Sequence, residues 1–183
     1  MNKQDYYDIG NDTERWWREH IRGIAPGLRH SQAKGWDFHG NVEGVEVFID
    51  VKLYRTRYRN PGWIEARSWG KTTGIVQTAI HHRHNQNVEV YIVALHCGRW
   101  HLLDVKAMLE AHARGELPLH RQDTWADDGE VCQEAAHWQI SGWSDPRFLI
   151  AEGPLHPKHW NPRTTIGKSI NINAWMEGEW TTK

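Results

Sequence analysis

The feature that most constrains this chain is the run Val88-Glu89-Val90-Tyr91-Ile92-Val93-Ala94-Leu95, apolar almost throughout and rich in β-branched side chains. Continuous apolarity without alternation is the pattern of a strand buried on both faces, so residues 88–95 are expected to form a central strand. Such a strand needs cover on both sides, and the flanking segments supply strands and helices for it. Residues 45–54 alternate, with Val45, Val47, Ile49 and Val51 on one face. The turn 41–44 joins them to a short extended piece at 36–39. A first helix is expected over 12–22, capped by Asn11 or Asp12 and ended by Pro26-Gly27. A second is expected over 68–84, with Ile75, Val76, Ala79 and Ile80 as its apolar stripe, although Gly70 and Gly74 leave its start open. Between them lie polar residues 55–67, with the turn signal Asn60-Pro61-Gly62. A turn at 96–99 leads to a strand at 100–103, and Asp104 then caps a helix that Gly115 closes.

The resulting order, α-β-β-α-β-β-α, is a mixed α/β core over residues 1–115. Residues 116–183 read as a Trp-rich C-terminal extension packed on that core, with strands near 131–140 and 147–151, and as a place for specificity or dimerisation elements. A chain of 183 residues fits one domain with an appendage. No apolar run approaches the roughly 18 residues of a membrane span. The polar, acidic start (Met1 to Gly10) is unlike a signal peptide, so a cytoplasmic protein with no membrane association is expected.

Charge is near balance, with 22 Lys+Arg against 23 Asp+Glu. Balance argues against a globally basic nucleic-acid binder, but the charges are not spread evenly. Between residues 52 and 83 stand seven bases (Lys52, Arg55, Arg57, Arg59, Arg67, Lys71, Arg83) and one acid, Glu65. Between 104 and 134 there are eight acids and three bases. Arg55, Arg57 and Arg59 alternate, so an extended arm would point them one way, toward a row of phosphates. Trp63 and Trp69 interleave with the basic residues and could stack on bases or wedge a duplex open.

The chemistry is concentrated in Trp36-Asp37-Phe38-His39 and in Phe48-Ile49-Asp50-Val51-Lys52. On the second strand Glu46, Phe48, Asp50 and Lys52 share the face opposite the valines. Asp37, on the preceding strand of the hairpin, can reach the same point. Two neighbouring carboxylates bind a hard divalent cation well, and Mg²⁺ is the usual choice. A lysine beside them can hold a nucleophilic water or stabilise developing negative charge. Metal plus lysine is equipment for phosphodiester hydrolysis. The alternative is a solvated salt-bridge ladder on an exposed strand face.

The arrangement resembles the PD-(D/E)xK nuclease superfamily, which includes restriction endonucleases and Holliday junction resolvases. Asp37 matches the first acid, Asp50 the second and Lys52 the lysine, with the second acid 13 positions after the first. Glu14, 23 residues before Asp37, matches the glutamate that many members carry on the first helix. Gln77 matches the polar residue often found on the helix after the lysine. Trp36 departs from the usual proline, and Asp at the second acid is the rarer choice, which keeps Glu46 as an alternative ligand. The resemblance implies a restriction-endonuclease-like core and a Mg²⁺-dependent DNA endonuclease, with Mn²⁺ able to substitute. It further implies a metal held by Asp37, Asp50, the Val51 carbonyl and Glu14, with Lys52 and Gln77 assisting. No organic cofactor is expected. DNA would contact Arg55, Arg57, Arg59, Trp63, Arg67, Trp69, Lys71 and His81. Double-strand cutters in the family usually pair two copies, so a homodimer is expected, and C2 pairing is also the commonest oligomer.

Two other classes compete. One is a non-catalytic nucleic-acid-binding protein that keeps the fold. The other is a His-rich metal-binding module, suggested by 13 histidines and by His81-His82-Arg83-His84, although the two cysteines, Cys97 and Cys132, lack zinc-site spacing.

Overall fold

The computed structural model describes residues 27–31, 35–53, 62–68, 70–96, 99–125 and 131–154. The helix expected over 12–22, with Glu14, lies outside them. So do Arg55, Arg57, Arg59, Trp69 and Cys97. The described chain is mixed α/β with two helices and a core built mostly of sheet. Among the described residues no helix is long and apolar enough to cross a membrane.

The strands are β1 (Leu28–His30), β2 (Phe38–Val42), β3 (Val45–Leu53), β4 (Trp63–Ser68), β5 (Lys71–Thr72), β6 (Val88–His96), β7 (Arg99–Asp104), β8 (Leu119–Trp125), β9 (Val131–Gln139) and β10 (Leu149–Pro154). The helices are α1 (Gly74–His81) and α2 (Val105–Ala113). The first sheet has the order β1-β2-β3-β6-β7-β10, and a second has the order β5-β4-β9-β8. All neighbours pair antiparallel except β3 and β6, which run parallel from Glu46↔Val88 to Leu53↔Leu95. A parallel pair needs a crossover. Here the crossover contains β4, β5 and α1, so the second sheet grows out of the connection that follows the acid–lysine strand.

The apolar run at residues 88–95 is the centre of the first sheet. Val90, Val93, Ala94 and Leu95 of β6 are fully buried. One cluster joins Val88, Val90, Ile92 and Ala94 to Phe48, to Ile75, Val76 and Ala79 of α1, and to Met108 of α2. Ile64 and Ala66 of β4 and Trp138 of β9 close it from the second sheet. Residues beyond 115 thus supply β10 to the first sheet, β8 and β9 to the second, and Trp138, Trp143 and Phe148 to the core.

Several element expectations are corrected. The helix expected over 68–84 spans Gly74–His81; Lys71 and Thr72 pair with Ser68 and Arg67 instead. Residues 63–67, read as part of a polar stretch, belong to β4 because Ile64 and Ala66 alternate into the core. The extended piece at 36–39 is β2, starting at Phe38, and β1 was not anticipated. The largest change concerns β3, whose Asp50 face is not the solvent side. Phe48 on that face belongs to the core cluster, and Val47, Ile49 and Val51 on the other face are also buried. The reason is topological: β3 lies between β2 and β6, inside the sheet. The helix-cap reading agrees with the structure, since the Asp104 carboxylate accepts from the Ala107 N–H at 3.0 Å.

Candidate active site

Asp37 sits just before β2 in the hairpin register. Phe38 pairs with Ile49, so one further step sets Asp37 opposite Asp50. The hairpin locks it there: the Asp37 N–H donates to the Ile49 carbonyl at 2.9 Å. Its Oδ2 accepts from the Val51 N–H at 2.6 Å, between Asp50 and Lys52 along the chain. Like charges directly opposite on neighbouring strands repel, so the pairing has an electrostatic cost.

Asp50 is 6% exposed, which excludes a solvated ladder as the account of this strand face. Lys52 is half-exposed and its Nζ lies 3.0 Å from Asp50 Oδ2. Burial pushes the Asp50 carboxyl up to about 7; Lys52 pulls it down, and Asp37 beside it adds to the rise. Burial alone would lower the Lys52 ammonium. The carboxylates of Asp50, Asp37 and Glu65 together outweigh that and hold it above the ordinary lysine value.

These groups open onto one pocket of about 230 Å³, lined by Asp37, Asp50, Lys52, Glu65, Trp36 and Thr73, together with Gly35, Gly74, Ile75 and Ile92. Four elements converge on it: the β2–β3 hairpin, strand β4, the start of α1 and, through Ile92, strand β6. Convergence depends on two glycines. A Cβ on Gly74 would stand 2.1 Å from the Gly35 Cα, and Gly35 has φ +124°, so neither position accepts a side chain without displacing the helix from Asp37. Trp36 leans edge-on against Phe48, with ring centroids 4.9 Å apart, and fixes one wall.

The structure therefore brings together Asp37, Asp50 and Lys52. Gln77 is exposed one turn into α1 and does not line the pocket. His81 is exposed at the far end of that helix, about 10 Å along the axis from its start at 1.5 Å per residue. Glu46 hydrogen-bonds with His39 at 2.8 Å and also lies outside the pocket lining. Arg67 and Lys71 are exposed on the β4–β5 turn, where the Arg67 guanidinium donates to the Gly70 carbonyl at 3.1 Å. Trp63 is half-buried beside His120 and His137. Glu65 and Thr73 belong to the pocket and were missed by sequence reasoning. The alternation of Ile64 and Ala66 was the available signal, because it turns Glu65 to the face opposite the core.

Among the described residues no group of three or more His, Cys, Asp and Glu side chains is arranged to hold a metal ion. His81 and His84 are both exposed. Asp37 and Asp50 nevertheless suit a hard divalent cation. Mg²⁺ commonly takes one or two carboxylates and fills its remaining positions with water and substrate phosphate. Among the described residues, a buried carboxyl pushed up to about 7 next to a second carboxylate is also short of positive charge. Comparison of the chain with known protein families, curated proteins and solved structures finds no significant match.

Proposed function

We propose that this pocket is the active site of a Mg²⁺-dependent DNA endonuclease on a restriction-endonuclease-like core. The observation that carries the reading is the meeting of Asp37, Asp50 and Lys52 in one pocket, with Asp50 buried and its carboxyl raised. The sheet is compatible with the resemblance: the acid before β2, the Asp-x-Lys on β3 and a parallel β6 reached through a helix occur in the family's order.

Asp37 and Asp50 would hold the cation, with the Val51 carbonyl and Glu14 as further donors. A cation bound there supplies a Lewis acid for the phosphate and offsets the charge of the two acids. The Val51 N–H keeps the Asp37 carboxylate turned toward Asp50. Lys52 then has a donor free to orient the attacking water or to meet charge on a phosphate oxygen. Trp36 and Ile75 exclude bulk water from one side of the pocket. Arg67 and Lys71, with Arg55, Arg57 and Arg59, would grip the backbone.

The test is cleavage of supercoiled, linear and four-way-junction DNA with Mg²⁺, Mn²⁺ or a chelator, using wild type, Asp50→Ala and Lys52→Ala. The expected result is metal-dependent cleavage lost in both variants. Activity that survives both substitutions removes the assignment. Binding of DNA without any cleavage would instead select the non-catalytic reading.

A further inference from the structure

The outer face of the second sheet carries a row of rings that the site described above does not use. Ile64 and Ala66 of β4 point into the core, so Trp63 and Glu65 occupy the other face. His137 of β9 pairs with Glu65 on that face, and His120 of β8 pairs with His137. Trp63 lies 5.7 Å from the His120 ring and 5.8 Å from the His137 ring, centroid to centroid. Three half-buried rings from three strands thus stand together on one face. Among the described residues, the indole Nε1 of Trp63 and the Nδ1 of His137 are shielded from solvent and have no hydrogen-bond partner.

The row is continuous with the pocket. Glu65 both lines the pocket and pairs with His137. Trp63 stands two residues away along β4, about 7 Å at the usual strand rise. A bulge marks this corner: the register slips between Glu65 and Arg67, leaving Glu65 opposite His137 and Arg67 opposite Ala136. Bulges commonly turn side chains toward a site. Beyond the bulge, exposed Arg67 and Lys71 supply positive charge on the same sheet.

We propose that the Trp63–His137–His120 row is a stacking seat for unpaired bases leaving the pocket, so that the substrate is single-stranded or locally unpaired DNA. This rests on the nuclease reading for its place in a reaction and deepens it by naming the substrate class. Stacking suits the arrangement because every base presents a π face, so a row of rings beside a cationic turn holds a strand without reading its sequence. A paired duplex hides those faces inside its own stack and cannot use the row.

The experiment measures binding of a fluorescently labelled single-stranded oligonucleotide and of the matching blunt duplex by anisotropy. The protein is full-length Asp50→Asn, so that no cleavage intervenes, and Trp63→Ala, Trp63→Phe and His120→Ala are added separately to that background. The expected result is tighter binding of the single strand and a loss of roughly tenfold or more for it in Trp63→Ala, in line with one stacked base. A smaller loss is expected in His120→Ala and near-full retention in Trp63→Phe, with duplex binding unchanged in all three. Equal losses for single strand and duplex, or no loss for the single strand, overturn the proposal. Trp63→Phe keeps a ring at the site, so a collapse of single-strand binding there as severe as in Trp63→Ala also counts against stacking. Wild-type cleavage is scored separately: selective binding through Trp63 with no metal-dependent cleavage supports the stacking seat and refutes the nuclease reading alone.

Discussion

Asp50 and Asp145 are both buried, at 6% and 3% exposure, yet their surroundings drive them in opposite directions. Asp145 accepts from the Ser141 N–H and hydroxyl at 3.2 and 2.9 Å. It accepts three more bonds from Arg147, from the backbone N–H at 3.0 Å and from the guanidinium at 3.1 and 2.7 Å. Those donors hold its carboxyl well below the usual range, with the Arg147 side chain the largest cause. Among the described residues Asp50 has one close cation, Lys52, which it shares electrostatically with Asp37 and Glu65, and burial pushes its carboxyl up to about 7. A buried carboxylate surrounded by its own donors ties a loop and has nothing left for a ligand. One left short of positive charge is the candidate for a functional group.

The two carboxylates differ most under substitution. Asp50→Asn is expected to lower DNA cleavage on the order of 10³-fold or more, since several kcal/mol of transition-state stabilisation is at stake. Its thermal unfolding midpoint should be unchanged or higher, because the variant no longer buries an under-solvated charge. Calorimetry on the metal-free protein checks the second half. A marked fall in stability would mean that Asp50, like Asp145, is mainly a structural group.

Asp145→Asn is expected to do the reverse, losing about 2–3 kcal/mol of stability through broken charge-assisted bonds while leaving cleavage per folded molecule intact. Its pH signature follows from the direction of the shift. A carboxyl held below its ordinary value near 3.8 contributes stability that is present above that value and is lost as pH falls from there through its lower folded value. Urea midpoints should therefore converge for wild type and Asp145→Asn as pH drops below about 4. A constant gap across that range would show that the bonds to Arg147 carry no charge-dependent stability.

Part of this contrast was legible in the sequence and part was not. The Val88–Leu95 run, the Val45–Leu53 alternation and the Asp104 cap are local signals, and they place β6, β3 and α2 with little help from the rest of the chain. Because β3 and its hairpin were readable, so was the meeting of Asp37, Asp50 and Lys52. The burial of Asp50 was not, because it depends on β3 lying between β2 and a parallel β6, a pairing made across some 40 residues. Strand β4 and with it Glu65 were missed for a similar reason. Only Ile64 and Ala66 mark it as a strand, and its cross-strand partner is β9, far along the chain. The start of α1 was misplaced because residues 71–72 take their hydrogen bonds from β4 rather than from a helical turn. Asp145 announced nothing, since an Asp-Pro-Arg sequence is an ordinary turn until Ser141 is brought beside it.

Divalent cations sharpen the contrast without any chemistry. Added Mg²⁺ or Mn²⁺ should stabilise the wild type, by about 2.7 kcal/mol at a hundred times the dissociation constant. Asp145→Asn should keep that increment and Asp50→Asn should lose it. The readout is the unfolding midpoint against cation concentration. An equal increment in all three proteins would place the cation somewhere other than the pocket.

The smallest expected effect tests how the under-solvated site is held together. Alanine at Gly74 would ordinarily favour a helix by up to about 1 kcal/mol. Here its Cβ would stand 2.1 Å from the Gly35 Cα, and Gly35 cannot yield easily at φ +124°. Overpacking of this kind costs about 1–3 kcal/mol, so Gly74→Ala should be modestly destabilised on balance. The displacement falls on the contact that sets α1 against residues 35–37, so cleavage and the cation-induced rise in midpoint should both weaken. The loop around Asp145 is built from residues 141–149 and should be untouched, leaving the acid-side pH profile of stability with its wild-type shape. A variant that lost the Asp145 profile together with the cation response would show that the two carboxylates belong to one cooperative unit rather than to separately built sites.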